Sequence, residues 1–302
     1  MPSAQPGIFA VGASTHLILE FDRLPQVPAR ALVGAVADLR AQGTAAAAAN
    51  QVVAFGPELW REVAPSGIAP DVHGFRADVV GPDGYRMPAT QHDLLVWWSG
   101  SSFDVLFDDA RVALAGLRAL AAPAAETSGW TYRRNRDLTG FEDGTKNPPP
   151  GEAPGVALVP PGRPGAGGSV LLVQKWKHRA TSWDALSTAR QEEVIGRTKP
   201  ESVELDPNPA TSHVRKTDQD VFGNIYRRNF PYGQVTDHGT MFVGFCSELG
   251  PLARMLDSMA GIPGGVRDAL TDFAEVLTGG YYFVPSVEAI DGFRSAANGP
   301  SP

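Results

Sequence analysis

Strand-like and helix-like segments alternate twice, in the same order, along the 302 residues of this chain. That repetition restricts the fold more than any single residue does. His16–Phe21 (HLILEF) reads as a strand, and Val27–Arg40 carries apolar residues at helical spacing, with Gly43 placed to stop the helix. The Ala-rich Ala45–Ala49 reads as a helix–strand joint, Gln51–Phe55 as a second strand, and Pro57 as the first turn of a short helix. Val72–Val79 is a third strand candidate, followed by the turn Gly81-Pro82-Asp83-Gly84. Leu94–Trp98 (LLVWW) has the composition of a strand buried on both faces, and Asp108–Leu120 is an amphipathic helix ending before Pro123. Strands separated by helices around an antiparallel hairpin predict a ferredoxin-like βαββαβ unit.

The second half repeats the pattern without visible sequence similarity to the first. Ser169–Trp176, Gly239–Phe245 and Tyr281–Val284 read as strands. Helical segments fall near Trp183–Leu186 and at Thr188–Gly196, Pro251–Met259 and Val266–Leu277. The expectation is an α+β protein with domains at 1–125 and 126–302. Residues 121–168, with prolines at 148, 149 and 150, read as an irregular connection wrapping the surface, and the polar tail from Asp291 is expected to fray.

Composition narrows the partners. A net charge of −7 argues against nucleic acid or an anionic membrane surface. The single cysteine, Cys246, leaves no intrachain disulfide and no multi-thiolate metal site, and its apolar surroundings (Met241–Phe245) suit a buried structural thiol. No apolar run is long enough to span a bilayer, and Met1–Gly12 lacks a basic, apolar leader; the expected location is cytoplasmic.

Chemistry concentrates in Asn135–Pro148 (NRDLTGFEDGTKNP), which packs two glycines, a Gly-flanked carboxylate and an Asn-Pro stop into one non-periodic segment. A plain Asp-Gly hairpin turn does not account for it, because neither flank alternates apolar and polar. A phosphatase-type D-x-D-G-T loop fails too, since its nucleophile position falls on Phe141. What remains is a loop that holds Asp143 against a ligand. Of six histidines, His16, His73, His92, His178 and His238 suit solvated or hydrogen-bonded roles, whereas His213 follows the Pro-stiffened Asp206–Ser212. Downstream, Ile225–Gly233 (IYRRNFPYG) sets two arginines in an aromatic segment punctuated by Pro and Gly.

Three of these segments resemble the dye-decolourising peroxidases. Gly140-Phe141-Glu142-Asp143-Gly144 looks like the family's GxxDG motif, Ser212-His213-Val214 is similar to its proximal haem-ligand segment, and Arg227–Gly233 resembles the R-x-N-x-P-[FY]-G segment of the B-type members. Pro88-Ala89-Thr90, leading into Leu94, resembles the family less distinctively. The resemblance implies two ferredoxin-like domains forming a dimeric α+β barrel-type architecture and one haem b per chain. It makes His213 the iron ligand, Asp143 the proton shuttle, Arg227 a fixed positive charge and Asn229 an orienting group, with Gly144 and Thr145 beside the cofactor. The doubled arginine leaves a choice between Arg227 and Arg228, in which the x-Asn spacing favours Arg227. Arg197 matches a position that pairs with a haem propionate, equally readable as an exposed helix-terminal arginine, and Asp272 one that accepts the other N–H of His213. Implied partners are hydrogen peroxide and an aromatic or other one-electron donor, with room for a homo-oligomer. Electrons would pass at the haem edge or through surface Trp and Tyr, with Trp176, Trp183, Tyr226, Tyr281 and Tyr282 as candidates, each more often simply core or surface packing. The competing readings are a haem-binding carrier or deferrochelatase-like protein, and a haem-free barrel.

Overall fold

The computed structural model describes residues 2–43, 49–133, 136–262 and 264–295. Most of the expected Ala45–Ala49 joint and the end of the polar tail lie outside them. Eight strands organise the chain: β1 (Thr15–Arg23), β2 (Ala49–Phe55), β3 (Leu94–Gly100), β4 (Ala121–Trp130), β5 (Ser169–His178), β6 (Phe230–Gln234), β7 (Asp237–Cys246) and β8 (Gly280–Val284). The first four pair in the order β2-β3-β1-β4, and the last four in the order β8-β5-β7-β6. Each is the ferredoxin-like arrangement, and every pairing is antiparallel. The two sheets join at Phe283↔Phe55 and Gly129↔Tyr232, so the eight strands close into one barrel within a single chain. Closure removes the open edges that would otherwise invite a foreign strand.

Period-2 alternation decides which side chains go where. Ile18, Leu95, Trp97, Leu171 and Val173 fill the barrel, while Leu17, Leu19, Val96, Trp98 and Leu172 face outward into a second core. Over the first sheet that outer core is completed by helices α1 (Ala29–Gly43) and α2 (Phe103–Leu117), through Leu32, Val33, Leu106 and Ala110. Over the second it is completed by α4 (Leu249–Met259); α3 (Thr188–Ile195) packs Val194 and Ile195 on Phe141 and Trp183 instead. Among the described residues no helix is long and apolar enough to cross a membrane.

Three expectations are corrected. Val72–Val79 is not a strand: Glu58 accepts from Gly74 N–H and Gln91 from Phe75 N–H, so side chains satisfy its backbone, and only Val79–Val80 pairs, with Arg86–Met87. Val266–Leu277 is not one helix but a 3-10 turn at Ala269–Asp272 followed by a strand, Ala274–Val276, captured by the edge of β5. Residues 121–130 form β4 rather than an irregular connection. Pro123 stands opposite Phe21 beside a bulge, where the register slips between Phe21 and Glu20 and passes over Ala124. The expected boundary at 125/126 falls inside this strand, which pairs with β1 of the first sheet.

Candidate functional site

A cleft of about 1360 Å³, counting its open mouth, lies on the outer face of the second sheet. Its floor is Leu172, Gln174 and Trp176 of β5 with Phe242 of β7, and one side is α4, through Leu252, Met255 and Leu256. Against these apolar surfaces stand two polar walls.

The first wall is the loop that carries Asp143. Gly140 and Gly144 adopt left-handed φ of 90° and 75°, which only glycine takes without strain. The side chain of Arg136 donates to the carbonyls of Gly140 (2.9 Å) and Lys199 (3.2 Å), and Phe141 is buried against Trp183. Asp143 thereby faces the cleft, where Asn229 Nδ2 donates to its Oδ1 at 3.3 Å. The amide of Asn229 is itself oriented, because its Oδ1 accepts from Val243 N at 3.0 Å. Arg227 completes the wall, held at its backbone by Asn147. Its N–H donates to Asn147 Oδ1 and its carbonyl accepts from Asn147 Nδ2, each at 2.9 Å. Arg228 points the other way, donating to the Gly7 and Ile8 carbonyls with its guanidinium over Trp97, so Arg227 is the arginine facing the cleft.

Burial dominates the electrostatics here. It raises the Asp143 carboxyl above its usual range; Arg227 opposes this, Asp137 adds to it, and the Asn229 hydrogen bond opposes it. Burial lowers the Arg227 guanidinium, with Asp143 opposing and Arg197 adding. A guanidinium nonetheless remains charged across the working pH range.

The second wall is the short helix His213–Lys216, capped by Ser212, whose Oγ accepts from Arg215 N at 3.3 Å. His213 faces the cleft, and its Nδ1 lies 2.7 Å from Oδ2 of the fully buried Asp268. With Nδ1–H donated to that carboxylate, Nε2 keeps its lone pair. Asp272, expected in this role, instead accepts from Arg267 at 2.7 Å with 57% of its side chain exposed. The reason is the turn type. In an α-helix residues 268 and 272 would share a face, but the 3-10 winding separates them, and Ala269 N–H donating to Thr211 O ties the Asp268 end to the His213 segment.

Gly144, Thr145 and Arg197 also line the cleft. Arg197 is not an exposed helix end; its side chain is 12% exposed and donates to Ser202 O at 2.7 Å and Glu204 Oε2 at 3.1 Å. The aromatic candidates Trp176, Trp183, Tyr226, Tyr281 and Tyr282 are all buried. Two polar atoms of the cleft, Arg227 Nε and Gln174 Nε2, are buried with no protein partner among the described residues. Sequence reasoning missed Asp268, Asn147 and Asp137. Asn147 was visible as the Asn-Pro stop, and Asp268 is an N-cap residue by type, its Oδ1 accepting from Leu270 N at 2.9 Å.

Comparison with known proteins points to one family. Residues 134–289 match the family model described as Dyp-type peroxidase, C-terminal. A dye-decolorizing peroxidase of Mycobacterium tuberculosis is 36% identical over 250 residues, covering 80% of this chain and 74% of that protein. A dye-decolorizing protein from V. cholerae superposes with a TM-score of 0.87 at 33% identity, covering 96% and 99% of the two chains. A variant of Rhodococcus jostii DypB, solved in complex with haem, gives 0.83 at 32% identity, covering 93% and 96%. With its motifs gathered around one cleft and relatives matched over most of its length, this chain belongs to the Dyp-type, dye-decolourising peroxidase family.

Proposed function

We propose that the chain is a haem-dependent peroxidase, reducing hydrogen peroxide at the expense of dyes, phenols or similar one-electron donors. The observation that carries this reading is His213, locked by Asp268 so that its second nitrogen is available, in the same cleft as Asp143, Arg227 and Asn229. The fit is chemical as well as spatial. Apolar floor and side suit the faces of a flat macrocycle, one neutral imidazole suits its iron, and the partnerless Arg227 Nε and Gln174 Nε2 are donors awaiting a ligand. Arg197, Thr145 and Gly144 line the same cleft, and their polar groups suit its polar edge.

Haem, when bound, supplies the redox-active iron. The chain supplies proton handling and charge. Asp143 takes the proton from one peroxide oxygen and returns it to the other, so the departing oxygen leaves as water. Arg227, permanently charged and fixed by Asn147, stabilises negative charge as it develops during O–O cleavage. Asn229 holds the carboxylate of Asp143 and, with its amide oriented by Val243, presents its NH₂ toward the cleft rather than its carbonyl. Asp268 fixes the tautomer and orientation of the His213 ring. With its proposed Trp and Tyr relays buried, the chain meets bulky donors at the cleft mouth.

Absorption spectra test the reading. Wild-type protein should purify with a Soret band, respond to peroxide within seconds and bleach a phenolic dye. His213→Ala should fold but retain little haem. A normal Soret band in His213→Ala removes His213 from the site; a haem spectrum indifferent to peroxide makes the protein a haem carrier.

A further inference from the structure

The cleft wall holds a second carboxylate that the peroxide chemistry above leaves unused. Asp137 Oδ1 accepts from Thr139 N at 2.8 Å, and its Oδ2 accepts from the hydroxyl of Thr240. That hydroxyl has one proton and gives it to Asp137, so toward His178 Nε2, 3.1 Å away, Thr240 Oγ1 acts as an acceptor. His178 is thereby set as the Nε2–H tautomer, and His178, Thr240 and Asp137 form one directed chain of hydrogen bonds.

The chain leads somewhere. Asp137, Thr240 and His178 line the main cleft, while His178 also lines a smaller cleft behind it with His238, Trp183 and Phe273, about 350 Å³ with its mouth counted. His178 and Thr139 are the residues that line both spaces. His238 lies 6.2 Å from it, edge-on at 74°, on the exposed side near Val235 and Asp237. His238 Nδ1 donates to the Gln234 and Val235 carbonyls at 3.1 Å, which leaves its Nε2 open to a proton.

We propose that His178, Thr240 and Asp137 form a proton relay that carries protons from the outer cleft beside His238 to the distal carboxylate Asp143 during turnover. The proposal rests on the haem-peroxidase reading. Each turnover is H₂O₂ + 2 H⁺ + 2 e⁻ → 2 H₂O, with the electrons from the donor and the protons from solvent. In each transfer His178 takes a proton from water in the outer cleft at its free nitrogen and releases the Nε2 proton to Thr240 Oγ1. Thr240 passes its own hydroxyl proton to Asp137, which hands it to Asp143 through water in the cleft they share. Rotation of the Thr240 hydroxyl, and a reorientation of the imidazole that turns its newly protonated nitrogen toward Thr240 and the bare one toward the outer cleft, ready the row for the next proton. The ordering of the groups favours this direction. Asp137 is held below the usual carboxylate range: burial alone would raise it, but His178, Thr240 and Thr139 outweigh that. Asp143, by contrast, is raised, so a proton arriving at Asp137 moves on to Asp143. Burial lowers the His178 imidazole below its usual range, Asp137 opposing and His238 adding. Of the titratable groups outside the row, His238 acts on His178, and Asp137 in turn acts on Asp143.

The test separates the rate of proton entry from the equilibrium it reaches. Resting, haem-loaded protein is taken through a stopped-flow pH jump, and the haem absorption change that reports Asp143 ionisation is followed, with Asp143→Asn as the variant that should lack it. Thr240→Val, which removes only the hydroxyl, should relax at least about tenfold more slowly to the wild-type end point. His178→Gln, which keeps a donor toward Thr240 but cannot relay, should do the same, and Thr240→Ser should restore the wild-type rate. Wild-type relaxation in a folded Thr240→Val or His178→Gln protein overturns the relay. So does a shifted end point at an unchanged rate, which would make the row an electrostatic neighbour only. Persistence of the response in Asp143→Asn overturns Asp143 as the terminus. Wild-type protein lacking a Soret band overturns the haem reading, and the relay with it.

Discussion

Asp268 and Asp272 differ by one helical turn in sequence and by their whole role in the structure. Asp268→Asn tests this. Asp268 uses both oxygens, Oδ2 on His213 Nδ1 at 2.7 Å and Oδ1 on Leu270 N at 2.9 Å. An asparagine has one acceptor oxygen. If that oxygen stays on the turn, the NH₂ group faces His213 Nδ1 and favours the tautomer that protonates Nε2, the atom needed for the iron. If it moves to His213, the cap is lost, at about 1 kcal/mol of stability. Loss of such an orienting partner weakens metal binding by about 10–100-fold, or roughly 1.4–2.7 kcal/mol. Since Asp268 is fully buried and no water competes for it, the upper part of that range is expected. Asp272→Asn breaks only an ion pair to Arg267 whose partners are 27% and 57% exposed, worth about 0–1 kcal/mol. The assay is haem transfer to an excess of a haem-free acceptor globin, followed by the Soret shift. Asp268→Asn should release haem much faster than wild type, and Asp272→Asn at the wild-type rate. Equal release by the two variants, or a wild-type rate from Asp268→Asn, refutes the assignment.

Three further outcomes are expected. Arg227→Leu should slow the peroxide step by about 10² to 10³-fold, and by more than Asp143→Asn does, since the arginine acts on charge in the transition state itself; single-mixing stopped flow ranks the two. Asn147→Ala, which removes two hydrogen bonds, should cost about 1–3 kcal/mol of stability. By loosening the Arg227 backbone it should also lower kcat/KM for peroxide while the KM for dye stays unchanged; a stability loss without a peroxide effect would make it merely structural. Activity requires ionised Asp143 and so fails as pH falls through its pKa, which burial places above the ordinary value of about 3.9. Arg227→Leu removes a cause that lowers that pKa and should move the acid limb of kcat/KM up, Asp137→Asn removes one that raises it and should move the limb down, and displacement in the opposite directions contradicts the assignment.

What was legible in the sequence follows from how each element satisfies its own backbone. Leu94–Trp98 and Ser169–Trp176 announced themselves because both faces of those strands are buried, which needs unbroken apolar runs. β4 did not, because most of its residues lie exposed and a bulge beside its proline breaks the register, so neither an apolar run nor clean alternation survives. Val266–Leu277 has helical spacing, but the edge of β5 offers Val276 and its neighbours ladder bonds that an isolated segment cannot announce. The site divides the same way. Asp143, Asn229 and Arg227 sit in segments whose glycines, prolines and spacing are themselves the geometry. The choice between Asp268 and Asp272 depended on the winding of one short turn. The His178–Thr240–Asp137 row joins β5, β7 and the loop between the sheets, and no local pattern connects residues so far apart in the chain.

The position of the cleft follows from the same accounting applied to the two sheets. A ferredoxin-like sheet presents an apolar outer face that two crossover segments must cover. Over the first sheet both crossovers contain long helices, α1 and α2, which bury Leu17, Leu19, Val96 and Trp98. Over the second, only the crossover after β7 lays a long helix, α4, on the sheet. The crossover between β5 and β6 is divided among short helices at Ala180–Asp184, Thr188–Ile195, His213–Lys216 and Gln219–Phe222, with Asp206–Pro209 between them. Divided this way it forms a rim instead of a cover, and Leu172, Trp176 and Phe242 face space that a helix would otherwise fill. Leaving apolar surface uncovered costs stability at about 25 cal/mol per Å², so a bound macrocycle that covers it should stabilise the fold as well as equip it. The rim also carries His213, its cap Ser212 and Arg197, which a single straight helix could not bring to one opening at these angles. Cavity and iron ligand thus share one cause, the division of a crossover that the first half of the chain keeps whole.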